Sequence, residues 1–95
     1  MKVVAFSPAA EVDIGEIWDY SADRWGPDQA DDYTDAIRDA CNALAQGTKH
    51  GRPANVLPDF QMYLCRSHVV YFLDYPSQLD VIRILHQQQD AERHL

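Results

Sequence analysis

The most apolar run of the chain is Val81–Gln87, which follows turn-forming residues at 76–78 and precedes a polar tail. Its length and its β-branched content predict a central β-strand rather than a helix. Alternation along a strand divides its side chains into two sets, Val81, Arg83 and Leu85 on one face and Ile82, Ile84 and His86 on the other. Because both sets are mostly apolar, both faces of the predicted sheet need cover.

A strand and an amphipathic helix are predicted at the start of the chain. Lys2–Phe6 is a short apolar run, and Ser7 then supplies a helix N-cap with Pro8 at the first helical position. Three- and four-residue spacing predicts an inward helix face made of Ala10, Ile14, Ile17, Trp18, Ser21 and Trp25. The predicted outward face is acidic and contains Glu11, Asp13, Glu16, Asp19 and Asp23.

A second helix is predicted directly after the first. Gly26 is suited to end one helix and Pro27 to begin the next, which extends to about Gln46. Its predicted inward residues are Ala30, Tyr33, Ile37, Cys41 and Leu44, and its outward residues are Asp28, Asp31, Asp32, Asp35 and Asp39. Since so few residues separate the two helices, residues 8–46 are predicted to form an antiparallel hairpin.

The second half of the chain predicts strands. Glycines and a proline mark residues 47–59 as a loop, and strands are predicted at 60–66 and 69–75, joined by a turn at Ser67 and His68. With the strand at 81–87 they form an antiparallel meander over 60–87, and residues 88–95 form a tail that must dock to be stable. The predicted fold is α+β, β-α-α-β-β-β, a single domain over 1–95 with the helical hairpin on one face of a mainly antiparallel four-stranded sheet.

Charge and composition narrow the classes of function. With a formal net charge of -7, the chain lacks the broad positive field that steers proteins to phosphate backbones, so we expect no direct nucleic-acid binding. No apolar run approaches the ~20 residues of a membrane helix, so we expect a cytoplasmic protein without membrane contact. The histidines, at 50, 68, 86 and 94, lack metal-ligand spacing, and we expect no metal and no cofactor.

Arg83 needs a partner, because an unpaired buried charge is costly. The partner is either an internal carboxylate, such as that of Asp74 or Asp80, or a carboxylate or phosphate of another molecule, unless the side chain snorkels to solvent at a sheet edge. One helical hairpin covers one face of a sheet only, which makes the opposite face a candidate protein-binding surface. Its residues would be Val69, Tyr71, Leu73, Val81, Arg83 and Leu85.

Basic and titratable side chains of adjacent strands form a second candidate site. Arg66, Arg83 and His86, with Tyr63 or Tyr71, could neutralise a phosphate and transfer protons. The alternative for His86 is a histidine whose hydrogen bonds are satisfied within the core or at its rim. The sequence leaves both interpretations open.

Four segments together resemble one family: Ser7-Pro8-Ala9-Ala10, Ile17-Trp18-Asp19-Tyr20, Ser67-His68-Val69-Val70-Tyr71-Phe72, and Arg83-Ile84-Leu85-His86-Gln87 followed by Asp90 and His94-Leu95. Over essentially the whole chain the sequence resembles ParE, the toxin of type II toxin–antitoxin modules in the RelE/ParE superfamily. The segment at 81–87 is the most specific part of this resemblance.

The resemblance implies a toxin that is held inactive by direct binding of a ParD-like antitoxin, with the candidate protein-binding surface as the contact. It also implies that the free toxin inhibits DNA gyrase and blocks replication without catalysis of its own. Candidate target-binding residues are His86, Gln87, Asp90 and Arg93. Two alternatives remain: a RelE-like ribosome-dependent mRNA endonuclease that uses Arg66, Arg83 and His86, and a non-toxic interaction subunit with the same fold.

Overall fold

The computed structural model of the protein describes residues 2–95. Its elements in chain order are β1 Val3–Phe6, α1 Pro8–Trp25, α2 Pro27–Gln46, β2 Arg52–Pro53, β3 Gln61–Cys65, β4 His68–Asp74, β5 Gln78–His86 and α3 Ala91–His94. The α+β class, the N-terminal strand, the helical hairpin and the mainly antiparallel sheet are therefore confirmed.

The sheet has five strands in the order β1-β5-β4-β3-β2. β1 pairs with β5 in parallel, and the other neighbours are antiparallel. The additional strand, β2, has two residues and lies in the segment predicted to be a loop. β5 also begins earlier than predicted, at Gln78, because Gln78–Val81 pairs with β1. The two-residue connection between β3 and β4 consists of Arg66 and Ser67, one residue before the predicted turn.

Side-chain and glycine caps define the helical hairpin as the sequence predicts. The Ser7 hydroxyl accepts a hydrogen bond from the Ala10 backbone N–H at 3.0 Å, and Pro8 opens α1. Gly26, with a φ of 93° that favours glycine, separates α1 from Pro27 at the start of α2. Within residues 2–95, no helix combines the length and the apolar character needed to cross a bilayer.

A β-bulge in β5 changes which side chains face the helices. Val81 and Arg83 lie opposite consecutive residues of β4, so Ile82 has no partner there. One extra residue in a strand shifts the alternation of side chains beyond it. Val81 and Ile84 therefore pack in the same core beneath the helices, while Leu85 lies on the other face. The predicted common face of Val81, Arg83 and Leu85 is wrong.

Hydrophobic cores lie on both faces of the sheet. The core beneath the helical hairpin contains Ala10, Ile14, Ile17, Ile37, Cys41, Leu44, Ala45, Val70, Phe72, Leu79, Val81 and Ile84. On the opposite face Val69, Tyr71 and Leu85 are packed with Ala54 and Ala91, and with the partly buried Val56, Phe60, Met62 and Leu95. The loop before β3 and the C-terminal tail therefore cover much of the face that was predicted to be open, because both segments dock on it.

Two side chains of α1 lie opposite to their predicted positions. Asp13, predicted to face outward, is buried, with only 7% of its surface exposed. Trp25, predicted to face inward, is 60% exposed. The buried residues of α1 end at Ser21, one turn before Trp25, so the last turn of the helix has no core to contact.

We predict opposite effects on stability for two glycine substitutions. At Gly51 a Cβ atom would lie 2.5 Å from Cζ of the buried Phe72 ring, so Gly51→Ala is expected to lower the free energy of unfolding by about 1–3 kcal/mol. At Gly15, within α1, a Cβ atom would have no neighbour within 4 Å. Gly15→Ala is therefore expected to raise the free energy of unfolding by about 0.5–1 kcal/mol. Denaturant unfolding measures both changes; equal effects would contradict the close packing at Gly51.

Candidate functional site

Side-chain groups of α1 and its N-cap bind the backbone of β5 where β1 ends. β1 pairs with β5 only as far as Val81. Beyond that point the Ser7 hydroxyl donates to the Ile82 carbonyl at 2.6 Å, and the Ile84 N–H donates to the Asp13 carboxylate at 2.9 Å. Because an unpaired strand edge exposes backbone donors and acceptors, these contacts replace the strand that is missing there.

Asp13 also provides the internal partner of Arg83. Arg83 Nε and Nη2 donate to the two carboxylate oxygens of Asp13, each at 2.8 Å, which is a bidentate pair. The hydrogen bonds with Asp13 raise the pKa of the Arg83 guanidinium above its ordinary value. Arg83 Nη1 donates to the His94 carbonyl at 3.0 Å and so joins α3 to the same pair. Of the two sequence-based alternatives for Arg83, the internal carboxylate is correct, although the residue is neither Asp74 nor Asp80.

Two histidines lie side by side at the neighbouring end of the sheet. His68 and His86 are paired across β4 and β5, with ring centroids 5.3 Å apart and an interplanar angle of 87°. The hydroxyl of Tyr33 lies 2.7 Å from His68 Nδ1 and accepts a hydrogen bond from the Ser67 N–H at 3.1 Å. Burial, and secondarily the nearby His86, lower the pKa of His68 to about 4. His68 is therefore neutral at neutral pH.

Hydrogen bonds indicate which nitrogen of each ring carries the proton. His86 Nδ1 accepts from the Gln88 N–H at 3.2 Å, so the proton of the neutral His86 ring is on Nε2. The Tyr33 hydroxyl already accepts from Ser67, which leaves its own proton free for His68 Nδ1. On this basis we assign the Nε2–H tautomer to the neutral His68 ring, and to His86 in its uncharged form.

Asp13, Arg83 and both histidines line one opening, which we call the α1–β5 cleft. It has a volume of about 500 Å³ and is lined by Asp13, Glu16, Ile17, Tyr20, His68, Arg83, Ile84, His86, Gln89 and His94. Within residues 2–95, no three potential ligands have an arrangement suited to a metal ion. The cleft combines histidines, an arginine neutralised by Asp13 and the exposed carboxylate of Glu16, so it offers hydrogen bonding without a strong positive field.

The three residues of the predicted catalytic alternative are only partly brought together. Arg83 and His86 both line the α1–β5 cleft, but Arg66 does not. Arg66 lies on the turn between β3 and β4, where its φ of 55° is unusual for a residue other than glycine. Its side chain pairs with Asp32 at 3.2 Å and lies 5.3 Å from the centroid of the Tyr33 ring.

The six residues predicted to bind the antitoxin do not share one open face. Three are buried in the core opposite the helices: Val69, Tyr71 and Leu85. Val81 is buried beneath the helices, and Arg83 is bonded to Asp13. Leu73 lines a groove of about 930 Å³ between the loop before β3 and the end of β4. The predicted common surface is thus wrong, while antitoxin contact at the individual residues stays a prediction.

The predicted target-binding residues lie at the end of β5 and in the tail. His86 lines the α1–β5 cleft, and Gln87 is exposed. The carboxylate of Asp90 caps α3 by accepting from the Glu92 N–H at 3.1 Å. The Arg93 side chain is 82% exposed, and its Nε lies 3.9 Å from a carboxylate oxygen of Asp90, which is a long contact for an ion pair. These residues therefore border the cleft or extend beyond it.

Sequence reasoning missed His68, which was predicted to lie in a turn, and Asp13, which is the partner of Arg83. The helical period predicts Asp13 on the acidic outward face of α1, together with Glu16. The spacing contained a usable signal, because Asp13 is three residues after Ala10 and four before Ile17, both on the buried stripe. An acidic residue on an apolar stripe requires a buried partner, and the arginine in the most apolar strand needed one too.

We predict that Asp13→Ala lowers the free energy of unfolding by about 1–3 kcal/mol, because the partly exposed charge of Arg83 loses its bidentate partner and the Ile84 N–H loses its acceptor. The matched control is Glu16→Ala, which removes an exposed carboxylate from the same helix and is expected to change stability by less than about 0.5 kcal/mol. Denaturant unfolding at neutral pH measures both. An equal, small effect of the two substitutions would show that the buried ion pair contributes little.

We predict a pH dependence of stability that originates at His68. Its folded-state pKa of about 4 is below the ordinary 6.5, so the unfolded chain binds the proton first as the pH falls. The stabilisation is present above pH 6.5 and is lost towards pH 4, by at most about 1.4 kcal/mol per pH unit and less for a partly exposed ring. His68→Gln is expected to flatten this part of the curve, and His50→Gln, in an exposed loop, is expected to leave it unchanged. Identical curves for wild type and His68→Gln would refute the assignment.

Comparisons with known proteins agree with this architecture. The family model described as the ParE toxin of the type II toxin–antitoxin system, parDE, matches residues 4–91. Toxin ParE1 of Mycobacterium tuberculosis is 35% identical over 91 residues, covering 94% of this chain and 93% of that protein. Toxin ParE1 of Caulobacter vibrioides is 33% identical over 96 residues, covering 100% of this chain and 99% of that protein.

Solved structures share the fold. A chain of the chromosomal ParDE system from P. aeruginosa has a TM-score of 0.80 at 20% identity, covering 90% of this chain and 96% of its own. A histidine-to-glutamine variant of YafQ from E. coli has a TM-score of 0.59 at 9% identity, and the match covers 92% of this chain and 94% of the YafQ chain. The family match and the identities above 30% along nearly the full length show that this chain belongs to the ParE toxin family of type II toxin–antitoxin systems.

Proposed function

We propose that a ParD-like antitoxin neutralises this toxin by direct binding, and that the free toxin inhibits DNA gyrase in the cytoplasm. The observation that carries the proposal is the family match over residues 4–91, which spans both long helices and the whole sheet from β2 to β5. The solved relative from P. aeruginosa belongs to a ParDE toxin–antitoxin system, which supports a protein partner of the same kind for this chain.

The state of Arg83 supports action by binding rather than by catalysis. A ribonuclease stabilises the negative charge that develops on the phosphate with cationic groups aimed at it. Arg83 lines the α1–β5 cleft and is held by Asp13 through Nε and Nη2, whereas Arg66 lies outside the cleft. His68 and His86 remain as proton-transfer groups, and among residues 2–95 no lysine and no second arginine lines the cleft beside them.

The region following β5 is the proposed contact with the target. Gln87 and Arg93 are exposed, and Arg93 has only a long contact with Asp90 to restrain it. A long exposed arginine beside a cleft is suited to form charge-assisted hydrogen bonds with an acidic patch of another protein. We therefore assign target binding to His86, Gln87, Asp90 and Arg93 as a group.

We predict that the purified protein inhibits gyrase supercoiling and that a ParD-like antitoxin relieves the inhibition. Arg93→Glu is expected to weaken inhibition about fivefold, because a pair at an interface rim contributes on the order of 1 kcal/mol. Arg52→Glu is the matched control: it reverses an exposed arginine on the edge strand β2 and is expected to inhibit like wild type. A plasmid supercoiling assay over a range of toxin concentrations measures both variants.

Other outcomes of the same experiment identify the alternatives. Unchanged supercoiling by the folded protein, together with codon-dependent cleavage of mRNA on ribosomes, would indicate a RelE-like endonuclease. Inactivity in both assays would indicate a non-toxic interaction subunit. Equal loss of inhibition in Arg93→Glu and Arg52→Glu would contradict the proposed target surface and not the toxin activity itself.

A further inference from the structure

Exposed aromatic rings lie at the C-terminal end of α1. Tyr20 is 57% exposed and Trp25 is 60% exposed, and their ring centroids are 6.3 Å apart in an edge-to-face arrangement. The guanidinium carbon of Arg24 lies 5.2 Å from the Tyr20 centroid and 5.8 Å from that of Trp25. We call these three residues the α1 patch. Trp, Tyr and Arg are the residue types most enriched at the energetic centres of protein interfaces.

The α1 patch has no part in either hydrophobic core. Its rings lie within cation–π distance of the Arg24 guanidinium, so the three side chains form one continuous exposed surface. The patch also continues into the α1–β5 cleft, because Tyr20 and Glu16 line that cleft and lie one turn apart on α1. From Glu16 to Trp25 this surface is about 13 Å long, at 1.5 Å per helical residue.

The charge around this surface is negative. α1 and α2 hold ten of the fifteen acidic residues of the chain and two of its eight basic residues, Arg24 and Arg38. Glu16 is exposed and, within residues 2–95, has no ion-pair partner. Asp13, in contrast, is already neutralised by Arg83. A partner that binds here therefore gains from positive charge, and an acidic partner is repelled.

We propose that the α1 patch and the adjacent cleft are the docking surface for a basic, amphipathic segment of the antitoxin. The inference rests on the proposed antitoxin partnership. An apolar side chain of the segment packs on Tyr20 and Trp25, and a lysine or arginine reaches Glu16 at the cleft. An acidic segment would be expected if Arg83 needed an external carboxylate. Because Asp13 already pairs with Arg83, the segment is instead expected to be basic.

The test measures binding of this toxin chain to a ParD-like antitoxin. Trp25→Ala and Tyr20→Ala are each expected to raise Kd at least about tenfold, as truncation of a hot-spot aromatic does. Glu16→Gln is expected to raise Kd about two- to fivefold, and the wild-type Kd is expected to rise with salt concentration. The matched control is Tyr75→Ala, which removes a 48% exposed ring at the far end of β4 and is expected to keep Kd within about twofold.

Each other result has a defined meaning, provided that circular dichroism shows folded variants. If the wild-type proteins do not bind, the antitoxin partnership and this inference both fail. If they bind and Tyr75→Ala weakens binding while Trp25→Ala and Tyr20→Ala do not, the partnership stands and the docking surface is instead the groove that Leu73 and Tyr75 line. A Kd that falls as salt rises would rule out a basic segment.

Discussion

The carboxylate of Asp13 is the contact on which the arrangement of the other elements depends. It accepts two hydrogen bonds from Arg83 and one from the Ile84 backbone, so a single side chain of α1 satisfies both a charge and the edge of β5. Arg83 extends the connection to the carbonyl of His94 and thereby to the C-terminal helix. Because a buried charge without its partner is far more costly than the pair is favourable, either residue alone would destabilise the fold.

The same ion pair determines what the surface can recognise. With Arg83 engaged internally, the cleft beside it contains uncharged histidine at position 68, and the helices around it have a strong acidic excess. Surface charge of one sign favours encounter with partners of the other sign and suppresses wrong partners. A member of this family that has an acidic helical hairpin is thus suited to a partner whose contact segment is basic.

Local sequence patterns were sufficient for the two long helices and for four of the five strands, but not for β2 or for the long-range packing. Caps at Ser7 and Gly26 and the apolar periods predict the elements, since those signals depend on nearby residues only. The unpaired Ile82 could not be predicted, because a bulge is defined by the register between two strands. The burial of Asp13 and the exposure of Trp25 likewise depend on where the sheet ends beneath α1.

The bulge at Ile82 has a consequence for which changes in β5 are tolerated. Regular strands accept exchanges between similar apolar residues, whereas the loss or gain of one residue exchanges the two faces of everything that follows. In β5 such a change would move Arg83 away from Asp13 and bring a different residue beneath the helices. A change in the length of this strand therefore costs more than an exchange between similar apolar residues, and we expect the Asp13–Arg83 pair to tolerate the second and not the first.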